Sequence, residues 1–201
     1  MIIKYFFNDT ETTGTNFRIH GIVQLAGMIV YEENGKFETK ERFNFEVAPF
    51  PQDVIEDEAL QISGRTRGEV ELYRNPIEVH ADLMDILARH CDKYNKQDKL
   101  FFIGYNAPFD SDFIRKWFEK CNDKYFGSWF WSPAIDVMSK AADQLKPIRH
   151  TLPNFKLQTV ADYLGISAEG DYHDALKDIE VTKQMYIRLT QGVVEVQEEK
   201  L

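Results

Sequence analysis

The chain has 201 residues and a mass of 23.5 kDa, a length typical of one folded domain. Hydrophobic residues make up 43% of it and aromatic residues 13%, enough to fill a core, which excludes a disordered chain. The 33 acidic residues outnumber the 24 basic ones, and the net charge of −9 argues against a protein that coats duplex nucleic acid with a basic surface. No apolar stretch reaches the roughly 18–20 residues of a membrane span.

The termini and cysteines predict a cytoplasmic protein without membrane association. The N-terminal segment has no basic region and no small-residue cleavage site, which argues against a signal peptide. Cys91 and Cys121 are far apart and lack any CxxC or metal-binding spacing. We therefore expect reduced thiols in a cytoplasmic chain.

Hydrophobic periodicity predicts the elements in chain order. Strands are predicted over 2–8, 22–31, 36–47 and 99–105, with a short strand or loop at 129–137. The Pro-bearing stretch 48–77 predicts a loop with short helical turns. Helices are predicted over 78–93, 109–121, 157–164 and 173–189.

A strand meander followed by alternating helices and strands indicates an α/β fold with a mixed central sheet flanked by helices. We expect a single domain over 1–201, with a core of about 2–190 and a short C-terminal tail, 191–201.

The first two candidate site residues, Asp9 and Glu11, follow the first predicted strand. At positions i and i+2 their side chains project from the same face, where they repel unless a positive charge, a proton or a metal compensates them. The alternative is a solvated strand-to-loop transition, in which Asp, Thr and Gly are common. Thr12, Thr13 and Gly14 favour a ligand site, because glycine lets backbone N–H groups approach a ligand closely.

Two further acids lie on helix faces that are predicted to be buried. Asp110 heads an apolar stripe at i+3, i+4, i+7 and i+8, which consists of Phe113, Ile114, Trp117 and Phe118. Asp178 shares a face with Ala175, Thr182 and Met185. A lone charge does not belong on such a stripe. For Asp110 the alternative is a favourable interaction with the helix dipole.

One histidine and one asparagine complete the candidate set. His173 precedes Asp178 by five residues, about 500° of helix, so we expect it to lie before the helix and over the same site, with Asp174 near the N-cap. A structural or surface histidine is the alternative, and the other four histidines receive that interpretation. Asn106, just past a strand end, is a candidate to orient the loop or contact a ligand.

Together these residues predict four carboxylates and one imidazole that face inward. Hard oxygen ligands select Mg²⁺ or Mn²⁺ over zinc. About four carboxylates suit two such cations, the arrangement that supports phosphodiester cleavage. The imidazole, which titrates near neutral pH, is a natural general base for the attacking water.

At these residues the sequence resembles the DEDD exonuclease superfamily, in its DEDDh or DnaQ-like branch, which includes the proofreading exonuclease subunits of bacterial replicative DNA polymerases. DTETTG at 9–14 resembles the first exonuclease motif, GYNAPFDSDF at 104–113 the second and HDALKD at 173–178 the third. The order and separations of the motifs match, and the similarity covers roughly residues 2–190.

The resemblance implies an RNase H-like fold and 3′–5′ hydrolysis that releases nucleoside 5′-monophosphates. It implies that Asp9, Glu11, Asp110 and Asp178 are the metal ligands and that His173 is the general base. Thr12, Thr13, Gly14 and Asn106 would line the site of the terminal nucleotide. The expected partner is a single-stranded 3′ end, of DNA more than RNA, and a DNA polymerase subunit or a second copy of the chain is a candidate protein partner.

Two other functions fit parts of the pattern. A haloacid dehalogenase-type phosphatase also begins with a strand and Asp-x-Asp-x-Thr, but Glu11 occupies the third position and no Lys with a downstream acidic pair is evident. A nucleic-acid-binding module on an inactive nuclease fold would require a broken motif, and none is broken.

Two segments are hypothesised to contact the substrate strand. A basic strip at 140–156, together with Arg65 and Arg67, would follow the backbone, with a solvated connector as the alternative. The aromatic run at 125–131 would stack on bases, but the core or a subunit interface is the favoured interpretation of it.

Overall fold

The computed structural model describes residues 1–166 and 175–192. Within these ranges five strands form one sheet: β1 (Ile2–Thr12), β2 (Ile22–Glu33), β3 (Lys36–Glu46), β4 (Leu100–Gly104) and β5 (Phe130–Asp136). The helices are α1 (Asp57–Ile62), α2 (Arg67–Val70), α3 (Pro76–His90), α4 (Ala107–Lys120), α5 (Phe126–Trp129), α6 (Val137–Gln144), α7 (Leu157–Tyr163) and α8 (Ala175–Gln191), with a 3-10 helix over Lys146–Thr151.

The strand order is β3-β2-β1-β4-β5. The first three strands form an antiparallel meander, whereas β4 pairs parallel to β1 and β5 parallel to β4. The parallel pairs require crossovers, which α3 to α5 provide. The predicted mixed sheet flanked by helices is therefore confirmed.

Helices cover both faces of the sheet. On one face α3, α4 and α5 pack on a cluster that contains Phe6 and Phe102. On the other face α6, α7 and α8 pack on a cluster that contains Phe7 and Met28. A third, small cluster holds α1 and α2 against Val23 of β2. Alternate residues of β1 thus belong to opposite faces, and Asp9 and Glu11 continue the face of Phe7.

The central strand β1 is longer than the sequence predicts. It pairs with β4 only over Tyr5–Phe7, but its pairing with β2 continues as far as Thr12. The prediction that the strand ends at residue 8 is wrong by four residues. A run of Asp and Thr residues, taken by itself, predicts a turn. In the fold, β2 supplies backbone hydrogen-bond partners that hold these residues in an extended conformation.

One further difference concerns the second half of the chain. Helix α6 was not predicted, and it begins where the Asp136 carboxylate accepts hydrogen bonds from the N–H groups of Met138 (3.1 Å) and Ser139 (3.3 Å). The stretch 48–77 contains short helices, as predicted. No helix within 1–166 or 175–192 is long and apolar enough to cross a membrane.

The aromatic run at 125–131 belongs largely to the core. Phe126, Trp129 and Phe130 are each no more than 5% exposed and pack in the cluster of α3 to α5. The core interpretation is confirmed for these three side chains, whereas Tyr125 is exposed.

Candidate active site

Asp110 lies beside the part of β1 that extends past β4. It is in the first turn of α4, and its side chain is buried among protein atoms. Its Oδ1 accepts hydrogen bonds from the Thr10 N–H (2.9 Å) and the Thr10 hydroxyl (2.7 Å). Because β4 ends at Gly104, this carboxylate satisfies a strand N–H that a neighbouring carbonyl would otherwise satisfy.

A two-residue connection places α4 at this point. Asn106 adopts a left-handed conformation with φ of 67° and turns the chain directly from β4 into the helix. Its N–H donates to Asp136 Oδ1 at 2.9 Å, and the Ala107 N–H contacts the same oxygen at 3.4 Å. The side chain of Asn106 is exposed and does not cap α4.

Asp136 is a structural residue that the sequence interpretation missed. Its two carboxylate oxygens together accept hydrogen bonds from the starts of α4 and α6. The signal was present, since an aspartate between a strand and a helix is a typical N-cap. Asp136 thus fixes the connection that carries Asn106 and Asp110.

The four predicted carboxylates influence one another electrostatically. Burial raises the pKa of Asp9 well above its usual range, and the negative charges of Asp110, Glu11 and Asp178 raise it further. Asp178 is half-buried in the first turn of α8, and the predicted stripe on that helix (Ala175, Thr182 and Met185) is buried. The structure therefore brings together carboxylates from β1, α4 and α8.

The environment of Asp110 contains opposing effects. Burial raises its pKa, the hydrogen bonds from Thr10 and the helix backbone lower it, and the charge of Glu11 raises it, so that the resulting pKa is about 7. Like charges held at close quarters in this way favour either a proton or a cation.

The chemistry of these donors suits a hard divalent cation. All four are carboxylates, the ligands that Mg²⁺ and Mn²⁺ prefer. Burial, together with the charges of neighbouring carboxylates, raises the pKa values of Asp9 and Asp110, so a bound cation would offset a cost that the fold carries. In the described part of the chain, no group of three or more His, Cys, Asp or Glu side chains is arranged so that it could hold a metal ion. The fit therefore rests on donor chemistry and on charge.

The loop after β1 is held by its own threonines. The Thr13 hydroxyl is buried, donates to the Val54 carbonyl at 2.6 Å and accepts from the Gly21 N–H at 2.9 Å. The Thr12 hydroxyl donates to the Gly14 carbonyl at 2.7 Å. Both hydroxyls thus shape the loop, which leaves the loop backbone as the part best suited to contact a ligand.

The His20 side chain leaves no room for a side chain at position 14, so this position requires glycine. A Cβ at this position would lie 2.4 Å from Cε1 of His20, whose ring packs flat against the glycine. The ring is buried, its Nδ1 accepts from the Asn16 N–H at 2.9 Å and its Nε2 lies 3.2 Å from a Glu56 carboxylate oxygen. His20 is therefore structural, as expected, but it forms part of the first motif's loop.

The predicted general base, His173, and the predicted N-cap residue, Asp174, lie outside the described residues. Their roles remain predictions from the third motif.

Several charges of the hypothesised basic strip are already engaged. Lys146 pairs with Asp143 at 2.7 Å, and Arg67 pairs with Asp57 at 3.0 Å. The Lys140 ammonium lies 5.7 Å from the centre of the Tyr186 ring. These local contacts favour the solvated-connector interpretation for the residues concerned.

A carboxylate cluster at the end of a central strand, beneath two helix starts, is typical of a metal-dependent nuclease of the DEDD superfamily. The model of the RNase T exonuclease family matches residues 6–186, and the chain belongs to this family. The match includes the first two motifs and the third, and it decides against a dehalogenase-type phosphatase.

Two characterised relatives show the range of proteins that contain this domain. A PolC-type DNA polymerase III of Thermotoga maritima is 25% identical over 183 residues, which cover 91% of this chain but 12% of the polymerase. Exonuclease DPD1 of Arabidopsis thaliana, a chloroplast and mitochondrial protein, is 23% identical over 192 residues, 94% of this chain and 57% of that protein. The chain thus spans only part of each relative.

Solved structures of Escherichia coli exonuclease I share the fold. One, in complex with a dT13 oligonucleotide, superimposes with a TM-score of 0.71 at 21% identity and covers 95% of this chain and 42% of that one. Another, with a dA16 oligonucleotide, gives a TM-score of 0.73 at 20% identity, with 94% and 41% covered. The predicted RNase H-like exonuclease fold is therefore confirmed.

Proposed function

We propose that the chain is a metal-dependent 3′–5′ exonuclease that removes nucleoside 5′-monophosphates from single-stranded nucleic acid, with DNA favoured over RNA. One observation carries the proposal: the burial and mutual repulsion of carboxylates from β1, α4 and α8, in a chain of the RNase T exonuclease family. In a protein that only binds nucleic acid such repulsion would be a cost without a return, whereas a bound cation would relieve it.

Asp9, Glu11, Asp110 and Asp178 would hold two Mg²⁺ or Mn²⁺ ions. Such a pair, when bound, supplies positive charge to the attacking and leaving oxygens of the scissile phosphate. Thr10 fixes the orientation of Asp110 through two hydrogen bonds, and the sheet holds Asp9 and Glu11 on one face. The protein's contribution is thus a set of ligands whose positions are fixed before substrate arrives.

His173 is proposed to take the proton from the attacking water. The backbone around Thr12, Thr13 and Gly14, together with Asn106, is proposed to enclose the terminal nucleotide. The hydrogen bonds of the Thr12 and Thr13 hydroxyls within the loop support a backbone contribution there.

The substrate and partner proposals draw on the relatives. The oligonucleotide complexes of Escherichia coli exonuclease I support a single-stranded DNA substrate. The PolC-type relative supports a DNA polymerase as a candidate partner. We further propose that the chain acts as one exonuclease domain; a homodimer and a cytoplasmic location stay predictions.

The decisive test is cleavage of 5′-labelled single- and double-stranded DNA and RNA in Mg²⁺ or Mn²⁺. We expect a ladder that shortens from the 3′ end of single-stranded DNA and disappears in EDTA. Equal activity in EDTA would contradict the metal mechanism, and binding without cleavage by the wild type would favour an inactive nuclease fold.

The proposed base is tested separately. His173→Ala is expected to lower the rate strongly and to remove the limb of the pH–rate profile near neutrality, because deprotonation of the imidazole would no longer control the reaction. An unchanged profile would assign the base to another group.

A further inference from the structure

A buried glutamine connects the carboxylate face of the sheet to an arginine. Gln24 of β2 is directly opposite Glu11 of β1 in the antiparallel register, so the two side chains lie next to each other on one face. Gln24 is 5% exposed, and its Nε2 donates to Asn44 Oδ1 at 2.8 Å. Its Oε1 accepts a hydrogen bond from Nη2 of Arg65.

Arg65 is fixed by its surroundings. A second hydrogen bond runs from Nη1 to the Ser63 carbonyl at 3.0 Å. The backbone beside it is constrained by Gly64, which has a φ of 68°, and by Thr66, whose side chain and N–H form a capping box with Glu69. The guanidinium is thus held against Gln24, the residue that pairs with Glu11 across strands β1 and β2.

Arg65 and Arg67 occupy the same segment but differ in their partners. Arg67 is exposed and pairs with the Asp57 carboxylate at 3.0 Å. Arg65 is half-buried, and within the described ranges its hydrogen bonds go to neutral oxygens only, with no carboxylate at ion-pair distance. Its charge contributes least among the causes that lower the pKa of the nearby Glu69, which bonds chiefly to Thr66, so the guanidinium can still bind an anion.

We propose that Arg65 binds a phosphate of the substrate strand beside the scissile bond and thereby sets the position of the 3′ end over the carboxylates. This inference rests on the proposed exonuclease function. A phosphodiester approaching Asp9, Glu11 and Asp110 meets negative charge, and a guanidinium held by the residue opposite Glu11 would offset part of it. Arg65 is a substrate-binding residue in this proposal, and Gln24 positions it.

The test compares Arg65→Gln with Arg67→Gln, a matched loss of one positive charge two residues away. For binding, the probe is a 5′-fluorescein-labelled single-stranded oligothymidine, measured by anisotropy with Ca²⁺ in place of Mg²⁺. We expect Arg65→Gln to raise Kd about 10- to 100-fold, as for the loss of a charge-assisted hydrogen bond. The slope of log K against log salt should fall by about 0.7, as for one phosphate contact on a single strand. Arg67→Gln should change Kd by no more than about twofold and should leave the salt slope unchanged.

A second measurement varies the oligonucleotide instead of the protein's charge. Oligonucleotides with a single neutral methylphosphonate, placed in turn at each of the last four linkages, are bound to the wild type and to Arg65→Gln. At one linkage, the methylphosphonate should weaken binding to the wild type by as much as Arg65→Gln weakens binding to the unmodified strand. At that same linkage the methylphosphonate should not weaken binding to Arg65→Gln any further. Should Arg65→Gln fail to fold, a single sensitive linkage near the 3′ end of wild-type complexes would still support the proposal, and uniform sensitivity would overturn it.

The outcomes separate this inference from the proposed function. If the wild type cleaves from the 3′ end but Arg65→Gln and Arg67→Gln match it in Kd, salt slope and KM, Arg65 binds no phosphate while the exonuclease assignment stands. If the wild type does not cleave, the exonuclease assignment fails. A raised KM for Arg65→Gln with nearly unchanged kcat supports binding, and a lowered kcat with unchanged KM and Kd overturns it.

Discussion

The two ends of strand β1 treat charge in opposite ways. Near its start, the Lys4 ammonium donates to Asp98 Oδ1 at 2.6 Å and to the His90 carbonyl at 2.8 Å. Near its other end, Asp9 and Glu11 lie among further acids, and burial together with the charges of these acids raises the pKa of Asp9. The same strand therefore contains a compensated end and a frustrated end.

This difference separates structural charge from functional charge. A hydrogen-bonded ion pair at the protein surface stabilises the fold modestly, and its two charges compensate each other. A buried set of like charges costs free energy of folding unless a ligand compensates it. Uncompensated like charge at one end of an otherwise well-paired strand supports the proposal that a cation and an anionic substrate bind there.

The largest effect is expected when one of the carboxylates at the frustrated end is removed. Asp9→Ala or Asp178→Ala should lower exonuclease activity about 10³-fold or more, because several kcal/mol of transition-state stabilisation depend on the ligands. Activity is measured on 5′-labelled single-stranded DNA, with far-UV circular dichroism as the fold control. Lys4→Met, at the compensated end, should keep wild-type activity, and comparable losses in both variants would remove the distinction between the two ends.

The second effect is a stability that rises, not falls, as the pH is lowered from neutral. The pKa of Asp110 is about 7 in the folded state, above its value of about 4 in an unfolded chain, so the folded state binds the extra proton between these pH values. In EDTA the free energy of unfolding should therefore rise as the pH falls from about 7 to about 4. Asp110→Asn should flatten this dependence and stabilise the metal-free protein at pH 7.5 by about 1–3 kcal/mol.

Urea unfolding at a series of pH values checks this, with Asp112→Asn on the same helix as the control. Millimolar Mg²⁺ should raise the stability of the wild type more than that of Asp110→Asn. A wild type that loses stability steadily from pH 7 to pH 4 in EDTA would contradict the assignment of repulsion to this end.

The third effect belongs to the compensated end and has the opposite sign. Burial raises the pKa of Asp98, but the hydrogen bonds from Lys4 and the Asp92 N–H outweigh it, and the pKa lies below its usual value. Its contribution is therefore present above the unfolded pKa of about 4 and is lost as the pH falls through the lower folded pKa. Lys4→Met should cost about 1 kcal/mol at pH 7 and almost nothing near pH 2. A constant cost at all pH values would assign the effect to packing alone.

The smallest effect concerns an exposed pair at the same end. The Arg89 side chain is 54% exposed and donates to the Glu41 carboxylate, whose pKa is lowered chiefly by that hydrogen bond. Solvent screening limits such a pair, so Arg89→Gln should change the free energy of unfolding by less than about 0.5 kcal/mol, and 1 M NaCl should abolish the change. A larger, salt-independent cost would indicate that the arginine stem packs on the protein.

The sequence predicted the parts of the site that depend on local periodicity. Asp110 was placed on a buried face because Phe113 and Ile114 follow it at helical spacing, and both are buried. Asp9 and Glu11 were placed on one face because strand side chains alternate. Each inference needs only the geometry of one element.

The parts that were missed depend on contacts between elements. The extension of β1 to Thr12 requires β2 as a partner, and the hydrogen bonds from Thr10 to Asp110 join residues 100 positions apart. Nothing near Gln24 in the sequence indicates that it holds Arg65. Long-range pairing of this kind does not leave a periodic pattern that a single sequence can show.

The unequal lengths of β1 and β4 carry a lesson for design. A designer who idealised this sheet would match neighbouring strands in length and extend β4 by a few residues, so that its carbonyl could accept the Thr10 N–H. The result would be a more regular sheet, in which the Asp110 carboxylate no longer accepts a hydrogen bond from the Thr10 N–H. A scaffold designed to hold a carboxylate as Asp110 is held here would therefore need one strand shorter than its neighbour.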